Sequence, residues 1–329
     1  MQASMHNTAL MENRTGWRCP APDVEPLLRS LIGGLFESGL VPPGSVIDAG
    51  ANSGEEACYY AERQPQRLVH AVEPVTANVR HVQQRWGSQF PNLSVLRGGL
   101  GSVNRLVRDQ RAARKLVGQG SQIAVGTMNG RAAVHASESE APDVFRVYRI
   151  DDLFAGEWRG ERLGFAHFDV EGGELDVVHG ASATLKRDRP VFTVEVHPHN
   201  KPNETAALLQ EIQLLGYRSY LVEEQCGVPV DCRNLLNLPW EARRRFRGSA
   251  MLDFATASGK LVAVTPSTIA TQAYAAVCAA GGVCCPHGPP CCYNTCVQTW
   301  LKGLVGRDAS KHAHRAFANK ASTRHNLFA

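Results

Sequence analysis

The chain has 329 residues, 43% of them hydrophobic and 20% charged, a composition that can bury one large core or two modest ones and excludes a largely disordered protein. Its net charge of +4 and pI near 8.5 are too weak and too scattered to supply the concentrated basic face of a nucleic-acid binder. Residues 1–22 contain no continuous apolar run and no stretch reads as an integral membrane span, so neither a secretory signal nor a transmembrane helix is expected, and the cytoplasm is the default location.

In chain order, a helical pattern over Asp23 to Leu40 puts Leu27, Leu28, Leu31, Ile32 and Leu35 on one face, and Pro42-Pro43-Gly44 ends it. From Ser45 short β-rich runs alternate with helical ones. Strands are expected at Val46 to Ala49, Leu68 to Val72, Leu93 to Leu96, Leu163 to Asp169, Val191 to Val196 and Ser219 to Val222. Alternation of this kind makes βαβ units and a doubly wound, mainly parallel α/β sheet. The basic stretch Ser102 to Gln122 reads as a surface helix or insertion. Val125 to Val134 and Val144 to Ile150, with Asn129-Gly130 as a turn, read as an added hairpin. After Asp169, Leu175, Val178, Ala181 and Leu185 recur at helical spacing. Asn203 is placed to cap a helix carrying Leu208, Ile212 and Leu215, which Gly216 stops.

The resulting organisation is an N-terminal segment with one packing helix (1–44), a core domain (45–252) and a Cys-rich, basic tail (253–329), read as low-complexity and poorly ordered. Four cysteines are dispersed and are expected to be buried small apolar residues. Six cluster between Cys278 and Cys296, where zinc, disulfides and acylation are all possible but none has a matching motif.

The chemistry starts at Val46-Ile47-Asp48-Ala49-Gly50-Ala51-Asn52-Ser53-Gly54, an apolar strand running into a glycine turn and a helix. Backbone N–H groups then meet a ligand at the strand's carboxyl edge, where open α/β sheets bind. The spacing Gly-x-x-x-Gly, with an acid at the strand end, disfavours the pyrophosphate cradle of Gly-x-Gly-x-x-Gly and hence a nicotinamide cofactor. Glu73 ends the next strand, where a carboxylate can take both hydroxyls of a ribose. Asp48 and Glu73 together suit adenosine joined to methionine.

The segments VIDAGANSGEEA from Val46, AVEPV from Ala71 and FDVEGGELDVVHGASATLKRDRPVFTVEVH from Phe168 to His197 resemble the FkbM-type methyltransferases, over roughly Val46 to Leu221. The resemblance implies a seven-stranded Rossmann-like methyltransferase sheet and S-adenosylmethionine as cofactor, held at Asp48, Gly50, Asn52, Gly54 and Glu73. It also implies methyl transfer, usually to a hydroxyl oxygen; substrate identity does not come with it, and a small molecule or glycan is the expected acceptor.

Asp169 ends one strand, Glu171 is expected to begin the following helix, and Glu195 and His197 share a face at the end of the next strand. His197 is the expected base for the acceptor hydroxyl, because an imidazole titrates near neutrality, with Asp169 or Glu171 orienting the acceptor or the ring. Their spacing is not a metal signature, and no metal is expected. The competing reading is a non-catalytic nucleotide-binding or scaffold protein that keeps the fold.

Overall fold

The computed structural model describes Cys19, 25–109, Ala112, 141–226, 231–242 and 255–269, all within a compact unit that spans 1–270. The Cys-rich cluster and the strand expected at 125–134 lie outside the described residues. Strands β1 (Ser45–Ala49), β2 (Val69–Glu73), β3 (Leu93–Arg97), β7 (Leu163–Phe168) and β8 (Val191–Val196) pair in parallel, as the alternation predicts. Strand β9 (Tyr217–Val222) is joined to them through β10 (Arg233–Pro239), which runs antiparallel to both β8 and β9. A last strand, β11 (Leu261–Val264), adds antiparallel to β9 at the edge. The order is β11-β9-β10-β8-β7-β1-β2-β3.

The sheet thus has eight strands where seven were expected, and its edge strand starts at Leu261. Every residue of β1 and β7 is buried, because helices cover both faces and leave no polar side for alternation. On one face, Leu28, Leu31, Ile32 and Leu35 of α1 (Pro26–Glu37) pack with α2 (Glu55–Arg63) in a cluster that includes Val46, Tyr60 and Phe165. The Glu224 carboxylate accepts hydrogen bonds from Leu27 N and Leu28 N, both at 2.8 Å, and so satisfies free amides at the start of α1 from the far end of β9. The other face is covered by α4 (Ile150–Ala155), α5 (Glu174–Gly180), α6 (Ser182–Asp188) and α7 (Pro202–Leu214). Helix α3 (Thr76–Val82) runs into a π-helical turn, Gln83–Gly87, beside the glycine turn.

A second, three-stranded sheet has the order β4 (Gly99–Leu100), β6 (Val144–Tyr148), β5 (Arg105–Arg108). The antiparallel β5–β6 pair takes part of the basic stretch that reads as a surface helix or an insertion and makes it a strand. Val107, Phe145 and Val147 bury one face of this sheet against Val75, and that burial outweighs the helical propensity of the surrounding arginines.

The four dispersed cysteines are buried as expected, but as disulfides rather than thiols: Cys19–Cys58, with Cα atoms 5.8 Å apart, and Cys226–Cys232, 5.0 Å apart. The first ties the residues before α1 to helix α2. Among the described residues no helix is long and apolar enough to cross a membrane.

Candidate functional site

The carboxyl ends of β1, β2, β7 and β8 share one edge of the sheet, and every site residue expected from the sequence lies on or just after one of these ends. Gly50 and Ala51 both donate to Val72 O, at 2.9 and 3.2 Å, which draws the glycine turn across the end of β2. Asp169 N donates to Ala49 O at 3.0 Å and brings the end of β7 alongside. Gly50 has φ +84°, and a Cβ there would stand 1.7 Å from Asp169 O. At Gly54, φ +78°, a Cβ would stand 2.7 Å from Val82 Cγ2. These glycines are therefore required by the crossing of two chains and by the packing of α3.

Asp48 is 2% exposed, accepts a hydrogen bond from the Ala57 amide, and has an Oδ2 with no partner among the described residues. Burial, then the negative charges of Glu56 and Asp169, raise its pKa well above the usual carboxylate range. Glu73 is also buried but fully engaged: Oε2 accepts from Asn52 N at 2.9 Å, and Oε1 from Val75 N at 2.8 Å and Asn78 Nδ2 at 3.4 Å. Burial raises it to about 7 despite these bonds. Glu73 thus braces the glycine turn. Asn52, at φ +49°, is held through this amide bond and through Asn78 Nδ2, which donates to its Oδ1 at 3.1 Å.

At the other half of the edge the carboxylates face one another. One oxygen from each of Asp169, Glu171 and Glu195 lies within 4.8 Å of the others, a spacing that a divalent cation could bridge and that a shared proton also satisfies. Burial, followed by repulsion from Asp169, pushes Glu195 up to about 11, so the hydrogen-bonded Glu195–Asp169 pair holds a proton at neutral pH. Glu171 does not begin a helix. It sits in the turn before α5 with φ +57°, and burial, then Asp169, raises its pKa while Lys201 opposes. The Glu174 carboxylate accepts from Gly172 N at 2.8 Å and thereby closes that turn. His197 Nε2 is 3.9 Å from Glu195 Oε1; its pKa is lowered, first by burial and next by the Lys201 charge, so the ring is neutral at pH 7.

The expected residues omitted Glu195 as a proton carrier, and also Glu174, Lys201 and Asp231. Spacing alone places Glu195 beside His197 but gives it no role, because its burial against Asp169 cannot be read from the sequence. Asp231 has no local signal: it reaches the His197 turn from a different part of the chain.

A family model described as Methyltransferase FkbM domain matches residues 48–219, more than half of the chain. The chain belongs to the FkbM methyltransferase family. In this FkbM family member the matched span, 48–219, holds all the site residues named above except Asp231. No curated protein matches it. Among solved structures it is similar to methyltransferase FkbM from Methylobacillus flagellatus KT, with 17% identity over 62% of this chain and a TM-score of 0.40; the chain spans about half, 47%, of that protein. It is also similar to the N-terminal domain of human METTL16 in complex with SAH (12% identity, 72% of this chain, 80% of that one, TM-score 0.36). A third is human methyltransferase 10 domain containing protein (14% identity, 73% of this chain, 96% of that one, TM-score 0.39).

Proposed function

We propose that this FkbM methyltransferase binds S-adenosylmethionine at Asp48, Gly50, Asn52, Gly54 and Glu73 and transfers its methyl group to a hydroxyl oxygen of a small molecule or glycan. The observation that carries the reading is the buried Asp48 carboxylate, whose Oδ2 has no partner among the described residues and lies beside a turn braced by Glu73. Asp48, Glu73, Asp169 and Glu195 concentrate acidic groups around that turn. A ligand with a sulfonium and an ammonium group supplies the positive charge that such an edge favours.

The cofactor, when bound, supplies a methyl carbon already activated by positive sulfur. The chain's part is alignment and proton removal. His197, neutral at pH 7, accepts the acceptor's hydroxyl proton. Asp169, hydrogen-bonded to Glu195, and Glu171 orient the acceptor or the ring. Two disulfides in one domain favour work in an oxidising compartment over the cytoplasmic default.

Titration calorimetry with S-adenosylmethionine tests the cofactor half: intact chain should bind, and Glu73→Ala should weaken binding at least 10-fold because the Asn52 amide loses its acceptor. No heat of binding from the folded, intact protein would end the proposal. Incubation with labelled methyl donor and fractionated extract tests the acceptor half, which fails if label goes only to fractions whose acceptors lack a hydroxyl.

A further inference from the structure

The turn after β8 that carries His197 is held from outside its own segment. Lys201 N donates to His197 O at 2.8 Å and closes the turn. Its two central amides, however, point at one carboxylate: His199 N lies 3.1 Å from both oxygens of Asp231, and Asn200 N donates to Oδ2 at 2.7 Å. The His199 ring adds a contact, Nδ1 to Asp231 Oδ1 at 2.6 Å. Asp231 is 8% exposed, so the acceptor of these part-buried bonds is itself withdrawn from solvent although His199 and Asn200 stand at the surface.

What places Asp231 is its neighbour. Cys232 is bonded to Cys226 in a disulfide across six positions, and Cys226 N donates to Cys232 O at 3.2 Å. The same Cys232 sulfur is 2.7 Å from Glu195 Oε1, and Arg233 opens β10 opposite Val196. The disulfide therefore touches the site twice, through Asp231 to the His197 turn and through Cys232 to the Glu195–Asp169 pair.

We propose that Asp231 is a positioning residue for the His197 turn and that the Cys226–Cys232 disulfide fixes its place, so that the turn is held in its working position only while this pair is oxidised. The inference rests on the reading of His197 as base for its functional meaning, but its structural content stands apart from it. A dithiol reductant would break the sulfur–sulfur bond, deliver two electrons and two protons to give two thiols, and leave as a cyclic disulfide. Release of the strand connection then frees Asp231, and the His199 and Asn200 amides lose their shared acceptor. By linkage, whatever the disulfide contributes to the Asp231 contacts, those contacts contribute to the disulfide.

The test needs no methyl acceptor. Amide hydrogen exchange of the full chain, read on residues 197–201, should quicken at least 10-fold in Asp231→Asn and in the Cys226→Ser, Cys232→Ser double variant. It should stay unchanged in Cys19→Ser, Cys58→Ser, and protection in β1 and β2 should persist in the first two as evidence that the fold survives. Wild-type protein equilibrated with oxidised and reduced dithiothreitol, then alkylated and weighed peptide by peptide, gives the equilibrium constant for the 226–232 pair. In Asp231→Asn this pair should be reduced at least threefold more readily. Unchanged exchange at 197–201 in both variants, an unchanged redox equilibrium, or free thiols at Cys226 and Cys232 in air-oxidised wild type would each overturn the proposal. Failure to bind S-adenosylmethionine would sink the proposed function and leave these readings untouched.

Discussion

At the β1–β2 half of the sheet edge, the Glu73 carboxylate is bonded to amides of the glycine turn and of its own turn, whereas at the β7–β8 half Asp169, Glu171 and Glu195 face one another and Glu195 is hydrogen-bonded to Asp169. The first half is a brace between two adjacent strand ends, built on backbone amides; the second is an assembly of groups from β7, β8, the α5 turn and, through Asp231, the connection to β10. A carboxylate saturated by backbone amides gives rigidity. Carboxylates that crowd each other give proton affinity, which suits a place where a proton must move. Crowding of chains follows the same division: a Cβ on Gly50 would strike backbone, while one on Gly172 would meet only Lys201 Nζ, at 3.6 Å.

That contrast can be broken by substitution. Gly50→Ala, with backbone oxygen in the way and φ +84°, should cost about 4 kcal/mol or more in urea unfolding, and a loss under about 1 kcal/mol would show that the β1–β7 crossing yields. His197→Gln should lower methyl transfer by roughly two to four orders of magnitude and leave S-adenosylmethionine affinity within about twofold. In the wild type, transfer should rise with pH through the lowered His197 value and be level by pH 7. A rate still climbing above pH 8 would assign the base to another group.

Stability against pH sharpens the same comparison. Burial raises Glu73 and Glu174 to about 7, Glu25 to about 8 and Glu195 to about 11. The folded chain therefore keeps protons that the unfolded chain releases above the ordinary carboxylate range. Stability from these groups is full at and below that range and declines as pH climbs toward 8. The thermal midpoint should fall by about 5 °C or more between pH 5.5 and 8. A flat or rising profile would mean that the acids are paired with cations. The smallest effect is expected from Gly172→Ala, about 1 kcal/mol, from its φ of +97° alone.

Much of the sheet was legible because buried parallel strands are continuous apolar runs: the strand expected at Leu163 to Asp169 ends one residue earlier, and Val191 to Val196 is met at both ends. Strand β10 was not legible. Its Asn237 is fully buried, with Oδ1 accepting from Ser219 Oγ at 2.7 Å, and only a partner distant in sequence makes a polar residue acceptable there. Strand β11 is four residues amid Ser, Thr and Gly and pairs only because β9 offers an edge. At the site, the glycine turn announces itself within ten residues. By contrast, neither the partner of Cys19 nor the reach of Asp231 can be deduced from spacing.

Strand β10 lies between β8 and β9 although it follows both in the chain. During synthesis, β8 therefore emerges with an open flank, and β9 has no neighbour until residues 233–239 have cleared the ribosome. A nascent chain stopped after the matched family span would present bare strand edges to its surroundings, the condition that invites clumping of unfinished proteins. The segment carrying β10 thus acts as a closing wedge, and shortened versions ending before Pro239 should accumulate as aggregates rather than as smaller folded proteins.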